Sequence, residues 1–153
     1  MAEIGFYHLR TTGPEQALPK LLGRTLAAGQ RAAVMCDSDE RVAALDTALW
    51  LCAEPDWLPH GTREAGDAAL QPIWIATDDA APNGARFLFL VDGTASTRLA
   101  AFDRVFDLFD GNDTAAVAAA RDRWRAAKAA GHALTYWQQT PAGGWERNAA
   151  RRS

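Results

Sequence analysis

The chain is short of cysteine, of basic charge and of long apolar runs. Its 153 residues include two cysteines, Cys36 and Cys52. Two thiols cannot build a disulfide scaffold, and no signal-peptide pattern opens the sequence. Both are therefore expected to be reduced, in a cytoplasmic protein. Sixteen Lys and Arg stand against nineteen Asp and Glu, a formal net charge of −3. That is a poor basis for direct nucleic-acid binding, whose affinity comes largely from neutralising phosphates. No apolar run approaches the roughly 20 residues that would span a bilayer, so no membrane partner is expected. Alanine is in excess, at 33 residues. It favours helix but adds little core volume. Six Trp and six Phe must then supply much of the interior bulk. The length suits one domain of about 100–200 residues.

Periodicity predicts alternating strands and helices. Residues 3–9 read as a first strand carrying Ile4, Phe6 and Tyr7. Leu18, Leu21, Leu22 and Leu26 are spaced as one helical face over residues 15–28. Pro19 fits such a helix only in its first turn, which predicts a late start. Residues 31–36 read as a buried strand, and residues 37–40 as a helix start with capping oxygens. Val42, Leu45, Leu49 and Trp50 continue that helix. Residues 53–70, with two prolines and two glycines, read as a long loop around Trp57-Leu58. Strands follow at residues 72–76 and 86–91, the latter a near-continuous apolar run suited to a strand covered on both faces. A short helix is predicted over residues 96–103 and a strand over 105–109. A long Ala-rich helix starts at the caps Asn112, Asp113 and Thr114 and closes at Gly131. A last strand covers 134–138. The alternation implies an α/β sandwich with a mainly parallel central sheet.

Such a sheet invites a nucleotide-binding reading, and the motifs for one are absent. There is no G-x-x-x-x-G-K-[ST], and the turn after the first strand reads HLRTTGPE rather than G-x-G-x-x-G. Cys36 and Arg41 are one residue too close for a phosphatase loop, and the acidic residues between them would raise the thiol pKa. Cys36 is better read as a small buried hydrophobe. No G-x-S-x-G elbow occurs. His8, His60 and His132 lack metal-ligand spacing, and the aspartates around Gly111 do not fit a calcium loop. No catalytic residue, metal or cofactor is expected.

One helix carries a more specific pattern. Arg121, Arg125 and Lys128 fall within an arc of roughly 60°. Trp124 lies beside them, and Arg123 points elsewhere. A basic stripe beside an aromatic can hold an acidic peptide end, with guanidinium forks on carboxylates and apolar walls for a terminal side chain. A solvated helix face over a half-buried Trp is the plainer alternative. Trp57-Leu58 is a second candidate. Exposed, it is a protein-binding hot spot; buried, it plugs the loop.

The ordered segments FYHL, AVMCDSDERVAALDTALW, WLPHG, QPIWI, FLFLVDG, FDRVFDLFDG and AARDRWRAAKAAGHALTYWQQ resemble the chi subunit family of bacterial DNA polymerase III. The resemblance runs from Phe6 to Gln139. It implies a Rossmann-like three-layer α/β sandwich without a nucleotide-binding loop, spanning residues 1–139. Residues 140–153 are then a C-terminal extension, expected to be partly mobile, with Trp145 packing back on the domain. It implies a non-catalytic, monomeric accessory subunit of the clamp-loader complex. Such a subunit binds the acidic C-terminal tail of single-stranded DNA-binding protein and links it to the replicase. The tail pocket carries over to Trp50 and Arg121, with Phe109 as an apolar wall. Arg125 and Lys128 extend the rim by the helical-face argument, with Trp124 beside them. A second family interface, for the psi subunit, carries over to Trp57, Leu58 and Pro59. Two other functions fit the same fold. One is a nucleotide-dependent or hydrolytic enzyme using Asp37, His60 or Asp92. The other is a helicase-associated repair adaptor that uses the Trp57 loop for a different partner.

Overall fold

Side chains alternate in direction along each strand, and both directions are apolar, so the sheet must be covered on two sides. The computed structural model describes residues 2–52, 58–62 and 67–147. In chain order these form β1 (Glu3–Leu9), α1 (Pro14–Ala27), β2 (Ala32–Met35), α2 (Asp39–Leu51), β3 (Gly61–Thr62), β4 (Ile73–Ala76), β5 (Phe87–Leu90), β6 (Arg104–Asp110), α3 (Thr114–Ala129), β7 (Ala133–Gln139) and β8 (Trp145–Arg147). The strands make one sheet in the order β3-β4-β2-β5-β6-β1-β7-β8. Each neighbouring pair is parallel except β7–β8, which is antiparallel. This is a mixed α/β architecture with a mostly parallel sheet.

The two faces take different helices. Tyr7, Val34, Phe89 and Leu108 face Leu18 and Leu22 of α1 and Leu45 and Leu49 of α2. Ile4, Phe6, Leu88 and Val105 face the α3 side, where Ala120 and Ala127 pack closely and Trp124 is half-buried. The alanines let α3 lie near the sheet, and aromatic rings fill the remaining volume. Phe89 stacks on Phe106 at 4.2 Å between ring centroids. Each large apolar side chain so buried contributes roughly 1.5–3 kcal/mol. Trp74 is buried. Trp137 is half-buried and stacked on Tyr7 at 6.0 Å.

The helix starts follow local chemistry. Ser38 caps α2 by accepting from the Arg41 backbone N–H at 3.2 Å. Asp113 caps α3 by accepting from the Ala115 N–H at 3.0 Å. Pro19 departs from expectation: it is buried inside α1 rather than in its first turn. Pro14 at the first helical position, and the Gln16 side chain accepting from the Gly13 N–H at 3.2 Å, set the earlier start. Residues 96–103 hold only a 3-10 turn at Leu99–Ala101. Residues 53–70 are not wholly loop, since they contain β3 and a 3-10 turn at Ala68–Leu70. The sheet also runs past residue 139. β8 pairs with β7, and Trp145 meets Tyr7 edge-on at 5.0 Å. The part of the extension from Thr140 to Arg147 therefore belongs to the folded unit.

Candidate functional site

On α3 the three stripe cations have different surroundings. Arg121, Arg125 and Lys128 are all exposed. Arg125 Nη1 is 2.9 Å from Asp122 Oδ1. Among the described residues, Arg121 and Lys128 have no carboxylate partner. Trp124, on the same helix, packs on an aromatic wall fixed by strand register. Phe6 is paired with Tyr136, and His8 with Phe109. Trp124 packs edge-on against Phe6 at 5.2 Å and Tyr136 at 6.0 Å. Phe109 is buried and sits 5.2 Å from the His8 ring. The Tyr136 hydroxyl and His8 Nδ1 share a 2.5 Å hydrogen bond. Gly111 makes this possible, because a β-carbon there would collide with the His8 ring and the Leu9 carbonyl. The Trp124 indole N–H is buried without an acceptor among the described residues. Unassisted cations on a rigid aromatic bed can fork carboxylates while an apolar group lies against the wall.

The other flank of α3 is built oppositely. Arg123 turns inward and grips Asp107 of β6 with two bonds, Nε to Oδ2 at 2.7 Å and Nη2 to Oδ1 at 3.0 Å. Burial pushes the Asp107 carboxyl up from its ordinary value, and the Arg123 fork opposes that rise. The pair forms one end of an apolar cavity of about 150 Å³, with Phe6, Leu90, Leu99 and Ala127 in its wall.

Trp50, expected with Arg121 at the tail pocket, stands near the end of α2, whose buried side chains pack on the face of the sheet opposite to that of α3. The cause is topological: α2 follows β2 on the α1 side, whereas α3 follows β6 on the other. Trp50 is 64% exposed and lies on the His60 ring at 4.9 Å. His60 is itself buried. Its Nδ1 is 2.6 Å from the Leu58 carbonyl oxygen, and its Nε2 is 2.9 Å from Asp46, close enough for an ion pair when the ring is protonated. Leu51 is also exposed. Leu58, expected at a partner interface, instead turns into the α1–α2 core, while Pro59 is half-buried. Trp57 lies outside the described residues. The apolar surface at this corner is thus Trp50 with Leu51, beside Pro59.

At the carboxyl ends of β1 and β6 is the crevice where open α/β sheets commonly take ligands. It has a volume of about 300 Å³ and is lined by residues 9–14, Gln16, Asp110 and Asn112. Gln139 reaches into the β1–α1 turn. Its Oε1 accepts from the backbone N–H groups of Arg10, Thr11 and Thr12 at 3.0, 2.8 and 3.0 Å. Its Nε2 donates to Thr12 Oγ1 at 2.8 Å. Nearby, Arg41 joins Glu15 at 2.6 Å to Asp92 at 2.9 Å. Asp92 adopts φ +59°, an unusual conformation for a non-glycine residue. Burial pushes the Cys36 thiol up to about 12, with Asp92 adding to the rise. Among the described residues, no group of three His, Cys, Asp or Glu is placed to hold a metal. None of the helices described is long and apolar enough to cross a membrane.

Sequence reasoning missed His8, Tyr136, Asp46, Asp122 and Gln139. For the first two a signal existed. Phe6 and His8, Asp107 and Phe109, and Leu134 and Tyr136 each share a face by period-two alternation. Asp46, His60 and Gln139 act across long chain separations that spacing cannot show.

The molecule is therefore an α/β protein whose distinctive exposed side chains form two patches, one basic and one apolar, on opposite faces of a single sheet. The family model of the DNA polymerase III chi subunit, HolC, matches residues 1–135, and the chain belongs to that family. Members of this family are accessory subunits of the replicase. A search of curated proteins finds no match to the chain.

Proposed function

We propose that this subunit binds the acidic C-terminal tail of single-stranded DNA-binding protein on the basic flank of α3 and so links that protein to the clamp-loader complex. The observation that carries the reading is the pair of exposed cations, Arg121 and Lys128, that have no carboxylate partner among the described residues and share their helix with Trp124 of the aromatic wall. Arg121 and Arg125 fork the acidic run and the terminal carboxylate. Trp124, backed by Phe109 and Tyr136, receives the terminal aromatic side chain. DNA contact is then indirect, which suits a net charge of −3.

Trp50, Leu51 and Pro59 form the second surface, for the psi subunit or another replication or repair protein. This assignment moves Trp50 from the tail pocket to the partner face. An exposed Trp on a fixed platform supplies large contact area at little entropic cost.

The test is a titration of the full chain with a peptide whose aspartate run ends in Pro-Phe. Binding is expected at micromolar strength, about −8 kcal/mol, and weaker as salt rises. Arg121→Ala, or deletion of the final Phe, should lower affinity. Trp50→Ala, on the other face, should leave it unchanged. Equal affinity after the first two changes, or loss after the third, would sink the assignment.

A further inference from the structure

Beside the stripe, on its Arg125 side, stands an acid that spacing does not single out. Asp122 is 77% exposed at its side chain and holds Arg125 at 2.9 Å, three residues on in the same helix. Arg121 and Lys128 have no such partner among the described residues. Asp122 and Arg125 both stand on the solvent side of α3, away from its packed face. The buried cation of the helix, Arg123, is instead fully committed to Asp107. Among the described residues, Arg125 is the stripe cation held by a carboxylate, and a ligand that reaches it must displace that carboxylate.

We infer that Asp122 is a built-in competitor for Arg125, setting how acidic a peptide must be before the α3 flank binds it. The inference rests on the tail-binding reading above. A ligand carboxylate reaching Arg125 must first break the Asp122 contact and then sit near the released Asp122 charge. A ligand that touches only Arg121 or Lys128 meets no such resistance. Asp122 thereby penalises contact at Arg125 and tunes the site, without touching the ligand.

The experiment titrates full-length protein, Asp122→Asn and Arg125→Ala, singly and together, with the aspartate-run peptide ending in Pro-Phe. A second peptide carries Asn in place of each Asp. Exposed pairs of this kind are weak, so Asp122→Asn should tighten the acidic peptide by about 1.5- to 5-fold at low salt. The gain should shrink in the Arg125→Ala background and with the Asn peptide. Equal affinity of parent and Asp122→Asn overturns the competitor role while leaving tail binding standing. A full gain that persists without Arg125 also overturns it, since Asp122 then acts by general repulsion. Failure of both parent and Asp122→Asn to bind the acidic peptide overturns the tail-binding reading and the inference together. The exposed position of Asp122 makes the substitution safe for folding, which a thermal melt of the variant verifies.

Discussion

The α3 flank and the α2 corner display different chemistry on supports of different strength. The basic flank rests on β6, β1 and β7, three long strands bearing interlocked aromatics. Its specificity is electrostatic, and its support is dense. The apolar corner rests on a two-residue strand, β3, at the sheet edge, and on one clasped histidine. Its reach comes from a large side chain left in water. A surface that reads charge can stand on a finished core, whereas a surface that offers a Trp leaves apolar area uncovered until a partner arrives. Burial of neighbouring residues, more than their type, separates the two roles.

Substitutions can break this comparison in order of effect. Leu49 is buried in the α1–α2 core beside exposed Trp50. Leu49→Ala should cost about 2–5 kcal/mol in chemical denaturation, while Trp50→Ala should cost well under half of that. Equal losses would place Trp50 in the core rather than on a surface. Asp107→Ala should cost about 3–5 kcal/mol, because it leaves Arg123 buried without its partner; Asp122→Ala, on the exposed side of the same helix, should change stability by less than about 0.5 kcal/mol. Gln139→Ala removes the shared acceptor of three backbone N–H groups. It should cost about 1–3 kcal/mol, without altering tail-peptide affinity.

The smallest effect concerns the start of α2, the counterpart of its exposed end. Burial would lift the Glu15 carboxyl, but the Arg41 hydrogen bond, a backbone hydrogen bond and the Arg41 charge together outweigh it and hold the carboxyl below its usual range. A depressed carboxyl contributes stability above the unfolded-state value and loses it as pH falls through the folded one. Glu15→Gln should therefore be slightly less stable than the parent near neutral pH. The two denaturation curves should converge in acid, and a constant gap would rule out the Glu15–Arg41 contact as its source.

Strand alternation, the Ser38 and Asp113 caps and the α3 stripe were all readable because each depends on neighbours within a few residues. Where chain separation grew, reading failed. That the helices carrying Trp50 and Arg121 cover opposite faces of the sheet depends on crossovers that spacing cannot show. Leu58 looks like an exposed partner of Trp57, but its side chain fills the space beside Leu45 and Leu49. Pro19 obeyed tertiary burial over local rule. The Asp122–Arg125 contact is within reach of spacing alone, since the two residues stand three apart on one helix.

The place of β1 sets an order of assembly. This first strand pairs with β6 on one side and β7 on the other, at Glu3–Arg104 and Glu3–Ala133. The turn that follows it finds its acceptor only at Gln139. A chain emerging from the ribosome N-terminus first has no lateral partner for its opening strand until more than a hundred further residues have been made. β2 and β4 can pair earlier, across a much shorter stretch. The half of the sheet carrying the basic flank thus needs residues 3–12 and 104–139 together before it can close.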